Sequence, residues 1–216
     1  MRENTIEQIL KEKVIAIVRG VGPAQCLRVA EALYQGGIRL AEITFNLNDP
    51  GSFRETAGAI SAIGRAYAGK MLCGAGTVTS EELVDLAADA GAAYIISPDS
   101  NPAVIRRTLE RKIVSIPGAM TPTEVLAAHG AGADFVKLFP AAALGTGYIK
   151  AIRAPINHVR LLAVGGVNEK NIGAFLAAGL YGAGVGGNLA NKAWIQAGEY
   201  ERITAAAKEL VAAANV

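Results

Sequence analysis

Two charged residues interrupt runs of the chain that are otherwise apolar. Lys137 sits within Phe135-Val136-Lys137-Leu138-Phe139, and Glu42 within Leu40-Ala41-Glu42-Ile43-Thr44-Phe45. Side chains of a strand alternate between its faces, so Val136 and Leu138 share one face and Lys137 takes the other. The same phase separates Ile43 and Phe45 from Glu42 and Thr44. Charge in apolar surroundings is expensive unless paired. One explanation is a Lys–Glu pair that neutralises itself, or strand-end side chains that reach solvent. The other is chemistry. Burial lowers a lysine's pKa and frees its amine to attack a carbonyl, while a nearby carboxylate can take and return protons. An inward lysine and an inward glutamate on different strands favour the chemical reading.

Three further features lie close in pattern. Arg19 ends the first apolar run in phase with Ile15 and Ile17, where a guanidinium could grip a carboxylate in a fork or simply stand in solvent. Thr77 ends Gly74-Ala75-Gly76-Thr77 and could offer its hydroxyl to the same carboxylate or cap the next helix. Two late segments, Val164-Gly165-Gly166 and Val185-Gly186-Gly187, pair glycines at strand ends. Bare backbone N–H groups in such loops bind phosphate, although ordinary tight turns also use glycine. His129, His158 and Trp194 form no constellation and read as surface or packing residues.

These residues need elements to position them. Short β-branched or apolar runs start at Val14, Leu40, Met71, Tyr94, Ile113, Phe135, Arg160 and Gly182, each followed by an amphipathic stretch. Runs this apolar read as parallel strands covered by helices. Capping residues follow several of them, at Thr79-Ser80-Glu81-Glu82, Thr121-Pro122-Thr123-Glu124 and Asn168-Glu169-Lys170-Asn171. Gly36-Gly37, Ala90-Gly91, Ala131-Gly132 and Ala178-Gly179 read as helix stops. Eight such units predict an α/β fold, a (β/α)₈ TIM barrel preceded by a short N-terminal helix, with active sites at the C-terminal ends of the strands. The competing open doubly wound sheet has fewer strands and a glycine-rich fingerprint, and Arg19-Gly20-Val21-Gly22-Pro23 is no such fingerprint.

The bulk properties agree. The 216 residues are few for a barrel but within its range, and the absence of linkers predicts one domain over 1–216. A hydrophobic fraction of 51% and a mean hydropathy of +0.30 exclude a disordered chain. Formal charge is +2, from 21 basic and 19 acidic residues, which leaves no electrostatic footprint for nucleic acid or a membrane surface. Cys26 and Cys73 match no metal spacing and suit a reducing compartment as buried thiols. The first residues lack the apolar core of a signal peptide, and no run approaches a membrane span, so a soluble cytoplasmic protein is expected.

The motifs AEITF, GAGTVT, ISP, IPGAMTPTE, FVKLFPA and AVGGVN, in that order over nearly the whole chain, resemble the KDPG/KDPGal/KHG aldolases, a family of pyruvate-dependent class I aldolases. The resemblance implies a carbon–carbon lyase in which Lys137 forms a Schiff base with C2 of a 2-oxo acid. Glu42 would act as general base on the C4 hydroxyl. Arg19 and Thr77 match positions that hold the pyruvyl carboxylate, and Pro98, Pro117, Phe139 and Val164 line the pocket. Gly165, Gly166, Gly186 and Gly187 match the phosphate site. The products would be pyruvate and glyceraldehyde 3-phosphate, in the setting of carbohydrate (Entner–Doudoroff type) metabolism. The iminium is the electron sink, so neither metal nor organic cofactor is implied; the assembly implied is a homotrimer.

There are departures from the commonest family pattern. Asn46 stands where many gluconate-type members carry arginine, and Ala163-Val164 replaces Pro-Thr, as in galactonate-type enzymes. Gly187 replaces a serine of the phosphate site. A weaker phosphate grip keeps 4-hydroxy-2-oxoglutarate open as a substrate. Outside the lyase reading stand a phosphate-binding isomerase or epimerase using Glu42 and Lys137 without covalent chemistry, and a non-catalytic phospho-sugar sensor.

Overall fold

The computed structural model describes residues 2–215, and its strands follow the apolar runs. In chain order they are β1 (Val14–Val18), β2 (Leu40–Thr44), β3 (Leu72–Gly76), β4 (Tyr94–Ile96), β5 (Val114–Ile116), β6 (Gly118–Ala119), β7 (Val136–Leu138), β8 (Leu161–Val164) and β9 (Gly182–Val185). Each pairs with its neighbour in parallel, in the order β5-β4-β3-β2-β1-β9-β8-β7-β6. The two end strands are separated in sequence only by Pro117, so the chain itself joins the edges and the sheet closes into a barrel. The fifth expected run is therefore one barrel strand in two pieces. Proline has no N–H to give the ladder and breaks the regular pairing. Its carbonyl still accepts from Lys137 N–H at 2.9 Å, and Ser115 O accepts from Phe135 N–H at 3.2 Å, across the seam.

Helices cover the barrel after each strand: α2 (Pro23–Gln35), α3 (Phe53–Ala66), α4 (Glu81–Asp89), α5 (Pro102–Glu110), α6 (Pro122–Gly130), α7 (Ala141–Arg153) and α8 (Ile172–Ala177). The last unit carries two, α9 (Lys192–Ala197) and α10 (Tyr200–Ala214). Ser80 caps α4 by accepting from Leu83 N–H, and Thr121 with Glu124 forms a full capping box on α6. The third expected cap differs. Asn168 and Asn171 bond to each other's turn, Asn168 N–H to Asn171 Oδ1 at 2.8 Å, and the helix begins only at Ile172. No described helix is long and apolar enough to cross a membrane.

The strand phase divides the core in two. Val14, Ala16, Ile43, Phe45, Val136 and Leu138 pack outward against the helices. Ile15, Leu40, Tyr94, Ile96, Val114, Ile116, Phe135 and Leu162 fill the barrel interior. The expected N-terminal helix, α1 (Arg2–Glu12), lies across the bottom of that interior, where Ile9 joins the same cluster. It is tied down by Arg2, which donates twice to the carboxylate of Asp134, immediately before the sixth run. With the bottom stopped by α1 and the middle filled by large side chains, the opening left is at the C-terminal ends of the strands.

Candidate active site

Above Leu40 and Phe135, each two residues on in the same inward phase, stand Glu42 and Lys137. Glu42 is 2% exposed and Lys137 8%. Neighbouring strands give way for both. A Cβ on Gly76 would fall 1.6 Å from Glu42 Oε1, and one on Gly118 would fall 3.0 Å from Lys137 Cε. Glycine at position 76 is a matter of clearance for the carboxyl, and at position 118 of clearance first for the Pro98 carbonyl, 2.4 Å from such a Cβ, and then for the lysine. Two residues lower on β3, Gly74 gives the same room to the ring of Tyr94, whose hydroxyl donates to Ala41 O at 2.6 Å.

Burial dominates the electrostatics. It raises the Glu42 carboxyl from its ordinary 4.5 to about 7, against the opposing pull of the Lys137 and Arg19 charges. Burial likewise lowers the Lys137 ammonium, opposed by Glu42 and assisted by Arg19. At neutral pH the carboxyl can therefore both hold and release a proton, and the amine is nearer to its free form. Glu42 Oε2 is buried with no hydrogen-bond partner among the described residues. A fully buried carboxyl oxygen left without a partner in the folded chain is one that a substrate hydroxyl can satisfy.

Arg19 follows β1, is exposed, and is close enough to act on both charges. Thr77 follows β3 with φ +58°, a left-handed backbone that a β-branched residue rarely adopts. The capping alternative for Thr77 falls away, because Ser80 makes the cap. Pro98 is exposed at the end of β4, and its carbonyl packs on Gly118. Pro117 lies between the inward positions Ile116 and Gly118, and its contact with the site is the carbonyl that holds the Lys137 backbone. Phe139 stands at the mouth with its ring centroid 5.3 Å from Lys137 Nζ. Val164 is inward and packs on Gly184. Asn46 turns into its own loop, accepting from Asn48 N–H at 3.3 Å.

The glycine loops lie side by side after β8 and β9, joined where Asn188 donates to Val167 O at 3.0 Å. Gly165 and Gly166 have φ of +94° and +74°, and each packs against the residues after β7, so turn geometry alone demands glycine there. Gly187 is different. Its φ is not positive and nothing lies within 4 Å of its missing Cβ, which leaves its backbone open to a ligand.

The structure also brings together residues that pattern reasoning left out. Asp99, after β4, accepts from Gly118 N–H through its carbonyl, and its charge acts on Lys137. It lies in a loop, where no periodicity marks a residue's direction. His129 and His158, expected to be unrelated, stack edge-on with centroids 5.2 Å apart. They sit at the end of α6 and before β8, on the side of the barrel away from the mouth, and were missed because 29 residues separate them in sequence. Trp194 packs under the Arg202 guanidinium. Cys26 and Cys73 are free and buried, as expected.

Known proteins share this sequence pattern and fold. The profile of the KDPG and KHG aldolase family matches residues 6–206. A probable 2-dehydro-3-deoxy-6-phosphogalactonate aldolase of Rhizobium meliloti (strain 1021) is 40% identical over 181 residues, covering 83% of this chain and 82% of that protein. A solved structure described as native KDPGal superposes with a TM-score of 0.85 at 36% identity, covering 94% of each chain. A KDPG aldolase from Legionella pneumophila, with pyruvate captured at low pH as a covalent carbinolamine intermediate, also gives 0.85, at 26% identity over 95% of this chain and 97% of that one. With the matched region spanning almost every barrel element, this chain belongs to the KDPG and KHG aldolase family, and it is an aldolase, a carbon–carbon lyase.

Proposed function

We propose that the enzyme cleaves a 2-dehydro-3-deoxy-6-phospho sugar acid to pyruvate and D-glyceraldehyde 3-phosphate through a Schiff base on Lys137. The observation that carries this reading is the pair of inward, buried groups, an amine with lowered pKa and a carboxyl titrating at about 7. The Lys137 amine adds to the C2 carbonyl, and loss of water from the carbinolamine leaves a cationic iminium. The Glu42 carboxylate takes the proton of the C4 hydroxyl. The C3–C4 bond then breaks, its electron pair moves to C3=C2, and the iminium becomes a neutral enamine as the aldehyde leaves. Glu42 returns its proton to C3, and water releases pyruvate and the free lysine. Arg19 and Thr77 hold the carboxylate beside C2, Pro98, Pro117, Phe139 and Val164 bound the pocket, and the amides of Gly165, Gly166, Gly186 and Gly187 receive the phosphate.

The galactonate epimer is the favoured substrate, on the Ala163-Val164 and Asn46 departures and on the name of the Rhizobium relative. Cleavage of 4-hydroxy-2-oxoglutarate to pyruvate and glyoxylate is the second reading, favoured by Gly187, which offers phosphate no hydroxyl. Side-by-side kcat/KM values for the three acids decide between them. Borohydride reduction in the presence of pyruvate tests the chemistry itself: a mass increase mapped to Lys137 is expected, and no adduct at saturating pyruvate overturns it. The family resemblance further supports a cytoplasmic homotrimer of one barrel domain per chain, with exposed Met120 and Leu126 as apolar surface for the contact; light scattering measures its mass.

A further inference from the structure

Tyr94 opens β4, joins the inward cluster and is fully buried. Strand register sets it level with Glu42. Glu42 pairs with Gly74, and Ala75 pairs with Ile95, so one residue back Glu42, Gly74 and Tyr94 stand in a row across β2, β3 and β4. Gly74, in the middle, has no side chain of its own. A Cβ there would lie 2.2 Å from both Cδ2 and Cε2 of the tyrosine ring. The ring therefore lies across β3, over the α-carbon of Gly74. Its hydroxyl reaches the far strand and donates to Ala41 O at 2.6 Å. That carbonyl belongs to the peptide that joins Ala41 to Glu42.

Packing alone does not ask for tyrosine here. Among the large side chains described in the interior cluster, Tyr94 alone carries a polar atom. Phenylalanine would fill nearly the same volume with no hydroxyl to desolvate. The hydroxyl adds a fixed end, because a ring tied at Ala41 cannot swing away from Gly74. Glu42 feels the result. On β3 its carboxyl has two bare α-carbons beside it, Gly74 in its own row and Gly76 two residues nearer the mouth. The tyrosine ring covers the first, and the carboxyl lies over the second. Without the ring, the seat over Gly74 would be open, deeper in the barrel and farther from the mouth.

We infer that Tyr94 is a positioning residue for Glu42: its tethered ring occupies the seat over Gly74 and so holds the carboxyl over Gly76, towards the mouth. This rests on Glu42 being the base of the function proposed above. Tyr94 lies below the carboxyl and acts on the reaction only through it.

Variants of the full-length enzyme test the assignment. Tyr94→Leu uncovers Gly74, and its kcat for cleavage is expected to fall about 10²-fold, as for a reacting group displaced by about 1 Å. KM should stay within about two-fold, and borohydride trapping of pyruvate at Lys137 should not change. Tyr94→Phe keeps the ring and loses the tether. It should recover most of the cleavage, about five-fold below the parent, as for loss of one hydrogen bond. In a Glu42→Gln background Tyr94→Leu should cost nothing further, since no base is left to place. A general loosening of the barrel would instead lower adduct formation and cleavage together, in both backgrounds. Parental cleavage by Tyr94→Leu, a matching loss of the adduct, or an equal loss in the Glu42→Gln background overturns the proposal. If Tyr94→Leu does not fold, Tyr94→Phe decides, and parental cleavage by it then overturns the assignment. The base role is read separately: normal cleavage by Glu42→Gln alone refutes Glu42 as the base. Slow cleavage by Glu42→Gln beside parental cleavage by Tyr94→Leu refutes only the positioning role.

Discussion

The carboxyl of Glu42 lies over the α-carbon of Gly76 on the neighbouring strand, so closely that a methyl there would meet Oε1 at 1.6 Å and Cδ at 2.4 Å. The register Thr44↔Gly76 and Glu42↔Gly74 sets this approach, and the bare α-carbon of Gly76 is what admits a charged side chain to a filled barrel, while Gly74 clears the ring of Tyr94.

Gly76→Ala is therefore expected to push the carboxyl off its position and to slow cleavage about as much as loss of the base, 10²- to 10⁴-fold. Overpacking should also lower stability by about 1–3 kcal/mol. Steady-state kcat with urea unfolding checks both; a variant with parental kcat would show that the carboxyl position is not critical.

Glu42 makes stability depend on pH in an unusual direction for a carboxylate. Its folded value of about 7 lies above the ordinary 4.5, so between these the folded chain holds a proton that the unfolded chain has released. The stabilisation is complete below pH 4.5 and is lost as pH rises through about 7, a difference of about 3 kcal/mol. Lys137 acts oppositely: its folded pKa is lowered by burial, so its contribution is lost as pH falls from 10.5 towards the folded value. Denaturant titrations from pH 4 to 8 should show the falling limb in the parent and a flatter one in Glu42→Gln. An equal slope in both would assign the dependence to other groups.

The same carboxyl sets the rate profile. Because the base is the ionised form, kcat/KM, which reports the free enzyme, should rise with pH through about 7. Glu42→Gln should lose that rise and cleave 10²- to 10⁴-fold more slowly, yet still form the pyruvate adduct. Normal cleavage by the variant would remove Glu42 from the base role.

Thr77 holds a left-handed backbone without being glycine, a conformation that costs about 1–3 kcal/mol. Thr77→Gly should relieve that strain and leave thermal stability equal or higher, while weakening pyruvate adduct formation through loss of the hydroxyl. Thr77→Ser should keep adduct formation near the parental level. A glycine variant that traps pyruvate at parental concentrations would leave the strained threonine without a role in binding.

At the other end of the barrel, Ile9 of α1 is 1% exposed within the interior cluster. Ile9→Ala should destabilise the fold by about 2–5 kcal/mol without changing the pyruvate adduct at Lys137. Chemical denaturation measures the first and mass spectrometry the second.

Strand phase was legible in the sequence because a parallel barrel imposes an apolar, period-two pattern. That pattern alone put Glu42 and Lys137 on the inward face and Ile43, Phe45, Val136 and Leu138 on the outward one. Local chemistry was legible too, as with the Thr121–Glu124 capping box, which involves residues three apart. Distances between strands were not. The clearances at Gly76 and Gly118, the seam at Pro117 and the seat of α1 beneath the barrel all depend on pairs far apart in the chain. The sequence by itself determined which residues carry charge and which way each strand turns them, because alternation is a property of neighbouring residues. The tertiary structure alone decided which of them meet and how deeply they are buried, because closing the barrel sets both the clearances and the desolvation that shifts the Glu42 and Lys137 protons.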